Sequence, residues 1–135
     1  MQLDFSSFVT AVVRLDEGLR RYQRASDDEL IRDGLIQRFE FTYDLAHKML
    51  RRQLEAVSAN PDQVDRLSFA DLIRSVSEQG LITSDWSVWR TWREMRSATT
   101  HSYDSAKALQ VVEGIPGFLA EAQDLAERSR QVWFV

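Results

Sequence analysis

The residues best equipped for chemistry lie in one stretch, Trp86–Lys107, which reads W-S-V-W-R-T-W-R-E-M-R-S-A-T-T-H-S-Y-D-S-A-K. It gathers three of the four tryptophans with Arg90, Arg93, Arg96, His101 and Lys107, against only Glu94 and Asp104. A local positive excess in a chain of formal charge −4 is the footprint of a small anionic partner or a few phosphates. The three-residue spacing of Trp86, Trp89 and Trp92 reads instead as one buried stripe of a helix. Arg96 and His101 are the pair of interest. On an unbroken helix five residues turn through roughly 500°, which leaves the two side chains roughly 140° apart and unable to act together. The β-branched Thr99 and Thr100, followed by Asp104 as a cap, predict a break between Arg96 and Tyr103 that folds both side chains toward one point. An imidazole with a pKa of about 6.5 beside a fixed guanidinium and a helix N-terminus suits a phosphodiester. The alternative is a solvated arginine face over a tryptophan core.

Composition narrows the chemistry further. The absence of cysteine excludes disulfides, thiolate nucleophiles and cysteine-ligated metal centres, and two histidines exclude a three-histidine zinc site. No metal or other cofactor is therefore expected, and a reducing, cytoplasmic setting fits. An acidic pI of about 5.2 argues against a generic nucleic-acid coat. No apolar run approaches the ~18 residues of a membrane span, and Met1–Thr10 lacks the basic start of a signal peptide. A chain of 135 residues with 44% hydrophobic content predicts one domain over residues 1–135.

The elements that must position the pair have a helical period. Phe5, Phe8, Val12, Leu15, Leu19 and Tyr22 form one stripe of a first helix. Ser26 and Glu29 read as a capping box for a second, running from about Asp27 to Val57, with Gly34 its only breaker. Its apolar residues cover more than one face, which predicts cover on two sides, by the bundle and by neighbours or a partner chain. Residues 58–66 read as a polar connection. A short helix capped by Ser68 carries Phe69, Leu72, Ile73 and Val76 and stops at Gly80. Ser84 or Asp85 caps the tryptophan helix, and Asp104 caps a last one with Ala106, Leu109 and Val112 inward. Pro116, after Gly114 and Ile115, should interrupt that last helix, which then restarts through Phe118, Leu119, Ala122, Leu125 and Ala126. The expected fold is all-α: an antiparallel four-helix bundle with an additional short helix. The apolar end Val132–Val135 should cover a groove on its own or a neighbouring chain.

The run R-D-x-x-I-Q-R-F-E-F-T-Y-D-L-A-H-K (Arg32 to Lys48), then Gly80–Ile82, a Trp, and R-x4-H-x-Y (Arg96, His101, Tyr103) resembles the small bacterial nucleotidyltransferase substrate-binding proteins of the HEPN superfamily. The resemblance extends from the first helix to about Arg128. It implies a HEPN-like bundle that forms a homodimer, with the two Arg/His motifs lining a shared cleft. It also implies a separate minimal nucleotidyltransferase as partner, in a toxin–antitoxin module of which this chain is the toxin-like half; a dimer with two transferases would make a heterotetramer. In active relatives the arginine and histidine serve a metal-independent endoribonuclease. Carried over, Arg96 neutralises a phosphate of nucleotide or RNA and His101 handles the 2′-hydroxyl or leaving-group proton. Tyr103 becomes a site of nucleotide attachment or binding.

Ser97 stands where relatives often carry Asn, and its single hydroxyl offers less to orient a phosphate. Glu40 matches a recurrent polar position near the cleft, as a partner for Arg38 or Arg96; a surface-facing Glu is the other reading. His47 reads as structural and Asp33 as a local ion pair with Arg32. Tyr103 has a bland alternative too: an aromatic staple packed on Ala108 or Leu109. The chain lacks the Gly-Ser loop and paired aspartates of a nucleotidyltransferase, so nucleotide-transfer chemistry of its own is not expected. Three readings follow: a binding subunit of a transferase pair, an endoribonuclease using Arg96 and His101, and a helical dimer with a vestigial motif.

Overall fold

The computed structural model describes residues 5–133, with side chains through Ser129. The side chains of the apolar end Val132–Val135 lie outside that range. Six α-helices follow in order: α1 (Ser6–Arg24), α2 (Glu29–Val57), α3 (Pro61–Val64), α4 (Phe69–Glu78), α5 (Trp86–Ala98) and α6 (Ser105–Trp133), with a 3-10 turn over Thr99–His101 between the last two. No strand occurs among the described residues. Helix α1 packs on α2 and α6, α2 on α4 and α6, and α5 on α6. The fold is all-α, and α1, α2, α5 and α6 form its main walls.

The local signals explain most boundaries. Ser68 Oγ accepts from Asp71 N at 3.1 Å and starts α4. That helix ends in a Schellman motif: Gly80, at φ 73, donates to Ser77 O while Leu81 donates to Val76 O. Asp85, not Ser84, caps α5 by accepting from Ser87 N and Val88 N. Helix α2 corrects the expected capping box. Its cap is Asp28, whose carboxylate accepts from Leu30 N and Ile31 N, because Ser26 lies two residues too early to reach the first free amides. The polar connection also holds a short turn of helix, α3, begun by Pro61 at its N-terminus.

Helix α6 overturns the expected interruption at Pro116. It runs unbroken for 29 residues with Pro116 inside. Ile115 and Phe118 on either side of the proline are fully buried and pin both halves to the core, while Pro116 is exposed. The inward register differs as well. Val112 is buried as expected, but Ala106 and Leu109 are exposed while Ala108 and Val111, two residues further on, are buried with Ile115.

The core centres on Phe118, whose ring meets Phe39 edge-on at 5.1 Å and Trp92 at 5.4 Å. Trp89 is 1% exposed and packs edge-on against Trp92 at 4.9 Å. Edge-to-face pairs of this kind contribute about 0.5–1.5 kcal/mol each beyond their buried area, and here they tie α2, α5 and α6 together. The buried carboxylate of Glu121 on α6 accepts from Thr83 N at 3.2 Å, from Ser84 N at 3.3 Å and from the Thr83 hydroxyl. It fixes the loop that begins α5, and so sets the height of everything α5 carries.

Candidate functional site

Helix α5 ends at Ala98, and the 3-10 turn Thr99–His101 leads to α6, so the chain breaks between Arg96 and Tyr103. Thr99 is the keystone of that break. It is buried, its hydroxyl donates to Arg96 O at 2.6 Å, and the same oxygen accepts from Arg96 Nη1 at 3.0 Å. The turn closes with Ser102 N donating to Thr99 O and Asp104 N donating to His101 O. Asp104 then caps α6 by accepting from Ala106 N at 3.0 Å. Thr99 thus both ends α5 and aims the arginine beside it.

The guanidinium of Arg96 is engaged on every side. Nε and Nη2 donate to the two oxygens of Asp44 on α2, at 3.0 and 3.1 Å, in a fork that only arginine can make. Glu40, one turn earlier on α2, places Oε2 3.9 Å from Nη1. Asp44 and Glu40 together hold the Arg96 pKa above its ordinary value, the Asp44 hydrogen bond being the largest cause. Glu40 therefore pairs with Arg96 and not with Arg38, whose Nη1 donates to Arg14 O at 2.7 Å. The sequence reading missed Asp44. The only signal was its spacing of one turn from Glu40 on the same helix face.

The remaining predicted residues lie around this corner. His101 is exposed on the 3-10 turn, and its side chain has no hydrogen-bond partner among the described residues. Its ring stands edge-on to Tyr103 at 6.1 Å. Tyr103 is 84% exposed and does not staple onto Ala108 or Leu109. Ser97 is exposed too, its carbonyl accepting from the Thr100 hydroxyl at 2.9 Å. Part of the positive excess counted along the sequence is engaged in space. Arg90 pairs with Glu94 at 3.4 Å, Arg96 with Asp44, and Arg93 lies over the Phe69 ring at 5.5 Å.

Beneath the corner the environment is apolar. Tyr43 is buried next to Arg93 and Arg96, and burial pushes its phenol up to about 12. His47 is half-buried with its ring edge-on to Phe69 at 4.6 Å, and burial, then the neighbouring Arg51, lowers its pKa. It stays neutral near pH 7, a structural role. Arg32 donates to Asp33 at 3.2 Å in a local pair. No group of three or more metal-ligating side chains occurs among the described residues, and no helix there is long and apolar enough to cross a membrane. What the corner can do is bind an anion at Arg96, if the anion displaces Asp44, and exchange a proton at His101.

Comparison with known proteins places this geometry in context. A family model described as nucleotidyltransferase substrate binding protein like matches residues 3–131. Over 98 residues the chain is 43% identical to a Haemophilus influenzae protein named probable ribonuclease HepT, spanning 73% of this chain and 66% of that relative, just under two thirds of its length. A solved Haemophilus influenzae structure, described as the fold of a substrate binding domain of a nucleotidyltransferase, superposes with a TM-score of 0.88 at 32% identity. It covers 95% of this chain and 100% of that one.

Proposed function

Because the chain belongs to the nucleotidyltransferase substrate binding protein like family, we propose that it is the substrate-binding subunit of a pair whose other member is a separate minimal nucleotidyltransferase. The observation that carries this reading is the corner itself. Arg96 is held rigid by Asp44 and Thr99, and the adjoining helix break presents His101 and Tyr103 to solvent with their rings 6.1 Å apart. The Tyr103 hydroxyl is open to a partner active site. In the attachment step its oxygen bonds the α-phosphorus of a nucleoside triphosphate, pyrophosphate leaves, and the phenolic proton passes to solvent or a transferase base. The attached phosphate then competes with Asp44 for Arg96 and covers His101. Incubating the chain with its transferase and nucleoside triphosphates, followed by intact mass, tests this. Wild type should gain whole nucleotide units and Tyr103→Phe none; a gain that persists in Tyr103→Phe removes the proposed role.

The second reading, a metal-independent endoribonuclease, is favoured by the exposed and unpartnered His101 and by the name of the Haemophilus influenzae relative. Here His101 takes the 2′-hydroxyl proton, the 2′-oxygen bonds phosphorus, and the 5′-oxygen leaves with a proton from water while Arg96 balances charge on the phosphoryl oxygens. Both readings describe one module, a toxin-like subunit controlled by its transferase.

A further inference from the structure

Away from the Arg96 corner, a groove of about 860 Å³ lies between the C-terminal half of α1 and the first three turns of α2. Arg20, Arg21, Arg24 and Arg38 rim it, and Glu17 is the one carboxylate in its lining. Arg20 is paired with Asp16 at 3.2 Å, but Arg21 and Arg24 have no ion-pair partner among the described residues. Arg38 lies against Gly18, where a Cβ would come within 3.1 Å of its Cδ, and its guanidinium reaches Arg14 O. Packing thus holds one rim cation in place. Between the arginines the floor is aliphatic: Leu30 is 84% exposed and Ile31 half-buried beside it.

Gly34 is the second, independent observation. It sits inside α2 and lines the groove, and a Cβ built on it would meet nothing within 4 Å. Its φ is not positive, so neither backbone conformation nor packing within the chain demands glycine there. A bare helix backbone facing an open groove leaves room for another main chain to approach closely. An acidic chain that concentrates unpaired arginines around exposed leucine and a bare backbone presents a surface complementary to one kind of occupant. Phosphates match only the rim, and no aromatic side chain in the lining offers a base a stacking platform. A second copy in a two-fold contact would set arginine against arginine.

We propose that this groove receives an acidic amphipathic helix of a protein partner, which packs its apolar stripe over Leu30, Ile31 and Gly34 and its carboxylates against Arg21, Arg24 and Arg38. The site is separate from the Arg96 corner and does not rest on either reading of it. The probe is a fluorescein-labelled helical peptide of about 18 residues, leucine at three- and four-residue spacing and glutamate elsewhere. Binding is followed by anisotropy. Wild type should bind it, at least about tenfold more tightly than the same leucine pattern with lysine for glutamate, and high salt should weaken the complex. The double variant Arg21→Glu/Arg24→Glu should lose at least about tenfold in affinity. Gly34→Gln changes no charge but fills the groove, and should lose a similar factor while its melting temperature holds or rises. Absence of binding, or equal binding by the two variants, overturns the proposal. So does displacement of the peptide by an oligouridine RNA in preference to unlabelled peptide, which would make the groove a nucleic-acid site.

Discussion

At the scale of single residues, the decisive contact is the fork between Arg96 and Asp44. A substrate phosphate cannot use the guanidinium face that Asp44 occupies, so the two anions compete, and the carboxylate sets how tightly the corner holds a phosphate. The pair is partly exposed, Asp44 at 56% of its side chain, so its loss costs the fold no more than about 1 kcal/mol. One series of variants separates the roles. Asp44→Asn keeps the shape and removes the competing charge; it should raise affinity for a non-cleavable deoxyribonucleotide analogue by on the order of tenfold. Any RNA cleavage should persist in EDTA, fall about a hundredfold or more in His101→Ala, and fall severely in Arg96→Ala, with all three proteins folded. Unchanged phosphate affinity in Asp44→Asn would show that the carboxylate only orients the arginine. Full activity in His101→Ala would place the cleavage elsewhere.

At the scale of elements, Pro116 gives a direct test of what holds α6 straight. Burial of Ile115 and Phe118 keeps the helix continuous, so the proline contributes only its missing hydrogen bond and its clash with the preceding turn. Pro116→Ala should therefore stabilise the protein by about 1–3 kcal/mol, seen as a higher midpoint in thermal or urea unfolding. A lower midpoint would mean that the proline matches a kink which the core requires. The same helix shows where sequence reasoning reaches its limit. Caps are local chemistry, so Ser68 and Asp104 mark their helices from sequence alone and α5 narrows to Ser84 or Asp85, although at α2 the nearer Asp28 displaces the expected Ser26; the threonines after Ala98 mark the break at the site. Whether a proline stops a helix depends on burial contributed by α2 and α5, which proximity in sequence does not encode. Asp44 was hidden for a related reason. Counting charges along Trp86–Lys107 finds the arginines, but their carboxylate partner comes from a helix 52 residues away.

At the scale of the whole molecule, α2 connects the corner to the outside. Phe41 is 56% exposed and adjacent in sequence to Glu40, and it lines a second groove, of about 510 Å³, with Arg14, Arg38 and Leu45. An exposed phenylalanine one turn from the acid that grips Arg96 is a poor free surface, yet well placed for a two-fold contact. Along the outer face of α2 the acidic Glu40 and Asp44 are followed by the basic Lys48 and Arg52, so an antiparallel pairing of two copies brings opposite charges together. Gly34 and Arg38 line both grooves, whereas Arg20, Arg21 and Arg24 on α1 line only the first, so the arginine rim and the dimer contact adjoin on α2. The homodimer expected from the two-sided helix is then one in which each protomer's Phe41 covers the other's α2 and the two Arg96 corners face a common cleft. Light scattering checks it. Wild type should have twice the 15.7 kDa chain mass at micromolar concentration. Phe41→Glu should be monomeric with an unchanged helical spectrum, because Phe41 contributes little to its own core. If Phe41→Glu stays dimeric, the contact lies on another face. If wild type itself is monomeric, each corner must act alone, with its one arginine, one histidine and one tyrosine.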